Sequence, residues 1–181
     1  KRVSGASVGS MTAALVATGC SAEEFAVIAN APGLGPVVKD GKKLPLGLEG
    51  EGLENLVRDS MATLLITQIK TAGVQDHPEV KPIYEKLSGG KKGPTFGDMR
   101  VLARHIEGVK EVSINATGMG YKPENGKGFD ELRVPEVVCF SADNEPDLEI
   151  ARVVHASAAL PPVFKPVDIE LKDRNITMRF Q

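Results

Sequence analysis

The chain has 181 residues, the size of one ordinary domain rather than two, and its 41% hydrophobic content is enough to fill a single core. Its 22 basic and 24 acidic residues leave a formal charge of -2 and a pI near 6.0, which excludes the basic footprint of a nucleic-acid-binding protein. No apolar run approaches the roughly 20 residues of a membrane-spanning helix, and the opening Lys1-Arg2-Val3-Ser4-Gly5 lacks the apolar core of a signal peptide.

Lys1 to Ser4 reads as the end of a strand, Gly5 and Gly9 bracket a turn, and Ser10 to Ala17 reads as a short helix stopped by Gly19. Ser21-Ala22-Glu23-Glu24 is a capping box opening a second helix through about Ala29, with Phe25, Ile28 and Ala29 as its apolar face. Ala31 to Gly52 has no sustained period and reads as a long irregular loop. Leu53, Leu56, Val57, Met61, Leu64, Leu65 and Ile69 then recur at helical spacing, so the longest helix runs to Gly73. Pro78 to Leu87 fits a short helix and Ser88 to Pro94 a flexible turn. Thr95 with Asp98 caps a helix carrying Met99, Leu102, Ala103 and Ile106.

Lys110 to Thr117 and Glu136 to Ser141 read as strands, joined by a long turn-rich connection from Gly118 to Arg133. Asp147 to Ala158 fits a helix with Pro146 at its entrance and Pro161-Pro162 after its end. Val167 to Leu171 and Ile176 to Phe180 flank a hairpin turn at residues 172–175. Cys20 and Cys139 stand in no metal-ligand spacing and read as buried, inert core residues. Because the chain opens without methionine on one strand end and closes on another strand, it is expected to be a piece of something longer.

Gly5-Ala6-Ser7-Val8-Gly9 fits G-x-S-x-G, the turn that presents a nucleophilic serine between a strand and a helix. At the tip of such a bend the hydroxyl of Ser7 projects into open space, and glycines two residues to either side keep side chains out of the crossing. The helix N-terminus adds partial positive charge, and the N–H of Val8 points to where an oxyanion would form. Ser10 and Ser157 lack glycines at that spacing on both sides and do not read as nucleophiles, although Ser157 would line the site if the late helix packed beside the bend.

Arg2-Val3-Ser4-Gly5-Ala6-Ser7-Val8-Gly9-Ser10, followed by Thr12-Ala13-Ala14-Leu15, resembles the nucleophile segment of patatin-like phospholipases. Ala151-Arg152-Val153-Val154-His155-Ala156-Ser157-Ala158-Ala159-Leu160-Pro161-Pro162-Val163-Phe164 resembles the late helix of that family and its Ala-Ser-Ser-Ala-x-Pro-x-x-Phe ending, with Ala158 in place of the second serine. Thr95-Phe96-Gly97-Asp98, the strand Val112 to Gly118, and Pro146 to Ala151 extend the likeness to the bacterial type III secreted members, over almost the whole chain except Ala31 to Gly52.

The resemblance implies an α/β patatin-like fold, a mixed central sheet flanked by helices, and a Ser-Asp dyad that uses neither histidine nor metal nor any other cofactor. Its aspartate belongs to an Asp-Gly-Gly or Asp-Gly-Ala motif on a late strand. No aspartate here precedes that pair; Asp40-Gly41-Lys42 comes nearest but sits in the early loop. In the family the motif directly follows a segment like Arg179-Phe180-Gln181, and a glycine-rich oxyanion loop precedes the nucleophile strand. Residues 1–181 are therefore expected to be part of the catalytic domain of a longer, multidomain protein. By the same likeness the expected activity is that of a phospholipase A2 or lysophospholipase. The expected protein is a cytotoxic effector delivered into a host cell, acting on membrane phospholipids. Host ubiquitin as activator, phosphoinositide-bearing membranes and a secretion chaperone are its expected partners.

Two other readings compete. One is a patatin-fold module that only binds membranes or partners. The other is a Ser-His-Asp esterase built from Ser7, Asp143 or Asp147, and His155; since His155 shares a predicted helix with Asp147, it reads instead as a structural histidine. His77 and His105 read as surface residues without partners. Lys42-Lys43 and Lys91-Lys92 read as solvated loop charge rather than lipid contacts, and Met11 and Met61 as core fillers.

Overall fold

The computed structural model describes residues 1–30, 50–122, 128–159 and 163–181, with backbone alone for residues 131–133. Strand β1 (Arg2–Ala6) leads into α1 (Val8–Ala17) and α2 (Ala22–Ala29); then come α3 (Glu51–Ala72), α4 (Lys81–Ser88) and α5 (Phe96–His105). Strands β2 (Glu111–Lys122) and β3 (Asp130–Phe140), helix α6 (Ile150–Ala158), and the hairpin β4 (Val167–Leu171) and β5 (Ile176–Phe180) complete the described elements.

Local chemistry sets most helix ends. Ser21 with Glu24, and Thr95 with Asp98, form reciprocal capping boxes in which each side chain takes up a backbone N–H the helix leaves unpaired. Gly19 and Gly73 turn the chain with φ of 84° and 67° just past α1 and α3, a conformation open to glycine and closed to most other residues. Helix α3 presents Val57, Met61, Leu64, Leu65 and Ile69 on one buried stripe, packed against α6 and α1. The expected loop from Ala31 lies outside the described residues as far as residue 49; its last residues do not belong to a loop, since Gly50 caps α3 and Glu51 and Gly52 begin it.

The sheet is mixed and five-stranded, with β2 at its centre. β1 runs parallel to the first half of β2, from Arg2 opposite Glu111 to Ala6 opposite Asn115. β3 lies antiparallel along the other side of β2, and β5 lies antiparallel to its second half, followed by β4. Phe140 pairs with Ile114 and Phe180 with Gly118, so both rings share the face of Ile114, Ala116 and Gly118 and meet edge to face at 5.3 Å across small residues. Gly118 has a packing reason to be glycine, since a Cβ there would come within 2.2 Å of the Met178 sulfur.

Three expectations need correction. The segment from Gly118 to Arg133 is mostly strand rather than connection: β2 continues to Lys122 and β3 starts at Asp130, with a bulge between Gly118 and Gly120. Strand pairing overrides the glycine-rich composition there. Helix α6 starts at Ile150, not Asp147, because Glu149 is extended and bridges to Thr95; Pro161 and Pro162 lie outside the described residues. Cys139 is exposed and Cys20 only partly buried, since β3 turns Val138 and Phe140 inward and so turns Cys139 outward. Met11 and Met61 are buried as expected, and among the described residues no helix is long and apolar enough to cross a membrane.

Candidate active site

Ser7 stands between β1 and α1 with φ 51° and ψ -132°, a bend that residues other than glycine rarely enter. Asn175, in the β4–β5 turn, is the other described non-glycine residue with positive φ. The side chain of Ser7 is exposed. Although Ser7 holds the N-cap position of α1, where a serine ordinarily bonds an N–H of its own helix, it makes no such bond. Among the described residues the hydroxyl meets no hydrogen-bond partner, and no acidic residue lies in the first turn to neutralise the positive helix end. Val8 is 75% exposed, and its N–H is one of the first-turn donors that an α-helix leaves unpaired.

The backbone of the bend is held from several sides. The N–H of Ser7 donates to Ser157 Oγ at 2.8 Å, and that hydroxyl donates in turn to the Asn115 carbonyl at 2.6 Å. Ser157 thus fastens the end of α6 to both the bend and the centre of β2. The carbonyl of Ser7 accepts from Ser10 N–H at 2.9 Å and from Ser10 Oγ at 2.5 Å, so Ser10 is a buried clamp. Gly5 is sterically required: a Cβ there would lie 2.2 Å from the Gly9 carbonyl oxygen and 2.8 Å from Ala13 Cβ. Gly9 differs from the expectation, because a Cβ built on it meets no described atom within 4 Å. Its backbone carbonyl is what crowds Gly5.

The sheet register brings a second chain end to this place. β1 and β5 occupy the same side of β2, since β3 fills the other along both halves. They run toward each other: β1 ends with Ala6 opposite Asn115, and β5 ends with Phe180 opposite Gly118, its extension held by Gln181 N–H on the Thr117 carbonyl at 3.2 Å. Three residues of β2, about 10 Å, separate the levels of Ala6 and Phe180, and Gln181, bonded to Thr117, lies one residue nearer. The described end of β5 therefore points along β2 toward the level of Ala6 and the bend at Ser7.

His155 has another occupation. It is buried on α6, its Nδ1 is 2.7 Å from Glu54 Oε1, and Gly50 packs so closely on the ring that a Cβ there would lie 1.9 Å from Nε2. Arg152 donates to the same Glu54 oxygen at 3.0 Å. Burial pushes the Glu54 carboxyl up, but the hydrogen bond with His155 and the Arg152 guanidinium outweigh it and hold the group below its ordinary value. Asp143 pairs with Arg2 and Arg100, and Asp147 with Lys172, so neither aspartate meets His155 and the Ser-His-Asp arrangement is not assembled. His77 and His105 do have partners: their rings touch, and Glu79 bonds His105 through its carboxylate and His77 through its backbone N–H. The distance in sequence from His105 to Glu79, 26 residues, is what kept that pair out of sight.

The fold and the bend define an α/β chain with Ser7 exposed at a strand-to-helix corner, in the G-x-S-x-G pattern. No family model and no curated protein matches the chain; solved structures do. It is similar to the type III effector protein ExoU, with a TM-score of 0.67 and 33% identity over 90% of this chain and 34% of that one. It is similar also to ExoU of Pseudomonas aeruginosa solved in complex with SpcU, with a TM-score of 0.62 and 27% identity over 89% of this chain and 32% of that one. VipD from Legionella pneumophila shares the fold, with a TM-score of 0.71 and 17% identity over 98% of this chain and 39% of its own. The chain thus spans about a third of the length of the ExoU chains it matches. The resemblance read from the motifs, to the patatin-like phospholipases of type III effector kind, is the one the solved structures support: this is an ExoU-like, patatin-like chain.

Proposed function

We propose that the chain carries the nucleophile of a phospholipase A-type acyl hydrolase, with Ser7 attacking and an aspartate, borne by the chain past Gln181 in the whole protein, serving as base. The reading is supported by the convergence of β1 and β5 along β2, which would carry chain continuing past Gln181 toward the bend at Ser7. A free aspartate, with a pKa of about 3.9, is a weak base toward a serine hydroxyl, so direct contact in a water-poor site is needed. As Ser7 Oγ bonds to the ester carbonyl carbon, its proton passes to the aspartate, and the oxyanion is met by Val8 N–H and the end of α1. The proton then goes to the departing lysolipid alkoxide as the ester bond breaks. Water enters with the aspartate again as base and releases the fatty acid from Ser7.

The likeness to ExoU supports the rest of the reading. SpcU is the protein solved with ExoU, and a chaperone of that kind is proposed here too, together with type III delivery, activation by host ubiquitin and action on phosphoinositide-bearing membranes. The test is hydrolysis of phosphatidylcholine and phosphoinositide vesicles, with ubiquitin present, by a chain that continues past Gln181. Fatty-acid release lost in Ser7→Ala is the expected outcome. Release undiminished in that variant would overturn the assignment, and folded protein that binds the vesicles without release would favour the binding module instead.

A further inference from the structure

We propose that His77, Glu79 and His105 form a surface site for a divalent transition metal of the zinc kind, which clips the end of α5 to the link between α3 and α4. One ligand atom from each side chain lies within 4.8 Å of the other two. His105 is the last residue of α5, while His77 and Glu79 belong to the link from Gly73 to Val80. That link is fixed by its own backbone: His77 N–H donates to the Val74 carbonyl at 3.0 Å, and the His77 carbonyl accepts from Val80 at 2.9 Å and Lys81 at 2.8 Å. The ligands are therefore carried on ordered chain, so little backbone freedom is lost on binding.

The donor set matches the chemistry of zinc. Two imidazoles and a carboxylate are the three protein ligands of the open His₂Glu type, with water in the fourth position. A tetrahedral ion with bonds of about 2.0–2.1 Å needs ligand atoms about 3.3 Å apart, so rotamer shifts within the present cluster suffice. The imidazole rings already touch, tilted by 45° with centroids 4.1 Å apart, and His105 Nε2 lies 2.7 Å from Glu79 Oε2. The Glu79 N–H donates to His77 Nδ1 at 3.3 Å, a weak bond that orients the ring and that a metal taken on Nδ1 would displace. The hydrogen bond from His105 and the charge of Arg104 hold the Glu79 carboxyl below its ordinary value, so it offers an anion at neutral pH. Arg104 competes for Glu79, but it sits on the other oxygen, Oε1, at 3.3 Å. Hard cations such as Mg²⁺ and Ca²⁺ prefer all-oxygen shells and do not fit.

The test is calorimetric titration of the chain with ZnCl2, repeated with MgCl2, alongside thermal unfolding. One zinc per chain is expected, with Tm raised by about 5–10 °C at a hundredfold excess over Kd and no effect of magnesium. Glu79→Gln, which keeps the side-chain shape, and His105→Ala should each weaken binding at least about tenfold. Arg104→Ala removes the competing cation and should tighten it about two- to fivefold. Zinc affinity unchanged in the His77→Ala/His105→Ala double variant, as binding through the exposed Cys139 would give, overturns the proposal; so does the absence of any binding to the unaltered chain.

Discussion

Ser7→Gly should make this protein more stable while removing the group on which the proposed chemistry depends. Ser7 has φ 51° and ψ -132°, which is not the left-handed helical well but the first central position of a type II′ turn, where glycine dominates. Holding a side chain there costs on the order of 1–3 kcal/mol. Glycine removes that strain but loses about 0.5–1 kcal/mol through the greater freedom of the unfolded chain. The Ser7 hydroxyl makes no cap bond that would be lost, so the balance is a gain of about 1 kcal/mol. For a chain of this length that raises Tm by about 2–4 °C. Ser7→Ala keeps the Cβ and the strain, and should unfold within about 0.5 kcal/mol of the parent. Urea unfolding of the three proteins measures the difference directly. Glycine no more stable than alanine would refute the claim that the bend is strained, and with it the claim that the serine is held there against its own preference.

Ser157→Ala leaves Ser7 N–H and the Asn115 carbonyl without their shared partner; a loss of about 1–2 kcal/mol is expected, with slower fluorophosphonate labelling of Ser7, and unchanged labelling would show that the bend does not need the α6 hydroxyl. Gly5→Ala drives a methyl group into the Gly9 carbonyl and should cost about 2–3 kcal/mol, whereas Gly9→Ala, with open space around it, should be neutral or stabilising; equal effects in chemical denaturation would count against the geometry of the crossing. Glu54 has its pKa lowered in the fold, so its contribution is present above the ordinary carboxylate value of 4.5 and is lost as pH falls through the lower folded value. Glu54→Gln should therefore be about 2 kcal/mol less stable than the parent at pH 7, with the gap closing in acid, and a gap independent of pH would exclude the ionic contact with Arg152.

Features written within a few residues could be read from the chain directly. The boxes at Ser21 and Thr95 need only a residue and its neighbour three positions on, and the bend at Ser7 needs five, so each announces itself locally. The features that escaped are long-range. Ser157 meets Ser7 across 150 residues, a meeting the sequence offered only on the condition that the late helix pack beside the bend, and Glu54 meets His155 across 101 with nothing in either segment to mark the other. The glycines of β2 concealed the second half of that strand because composition counts Gly118 as a breaker, whereas the fold uses it to admit Met178. Gly9 departs from expectation for the complementary reason: the elbow pattern asks for a small residue, but the crowding is at Gly5 alone. Cys139 follows the alternation of an edge strand rather than the usual burial of free cysteine.

The central claim is that one oxygen, on Ser7, is the nucleophile, activated by a carboxylate on the chain beyond β5. Mass spectrometry after fluorophosphonate treatment of a chain continuing past Gln181 reads this directly. The adduct is expected on the peptide containing Ser7, and is expected to vanish both in Ser7→Ala and when the first aspartate after Gln181 is replaced by asparagine. An adduct on any other serine, or one that survives Ser7→Ala, would contradict the account.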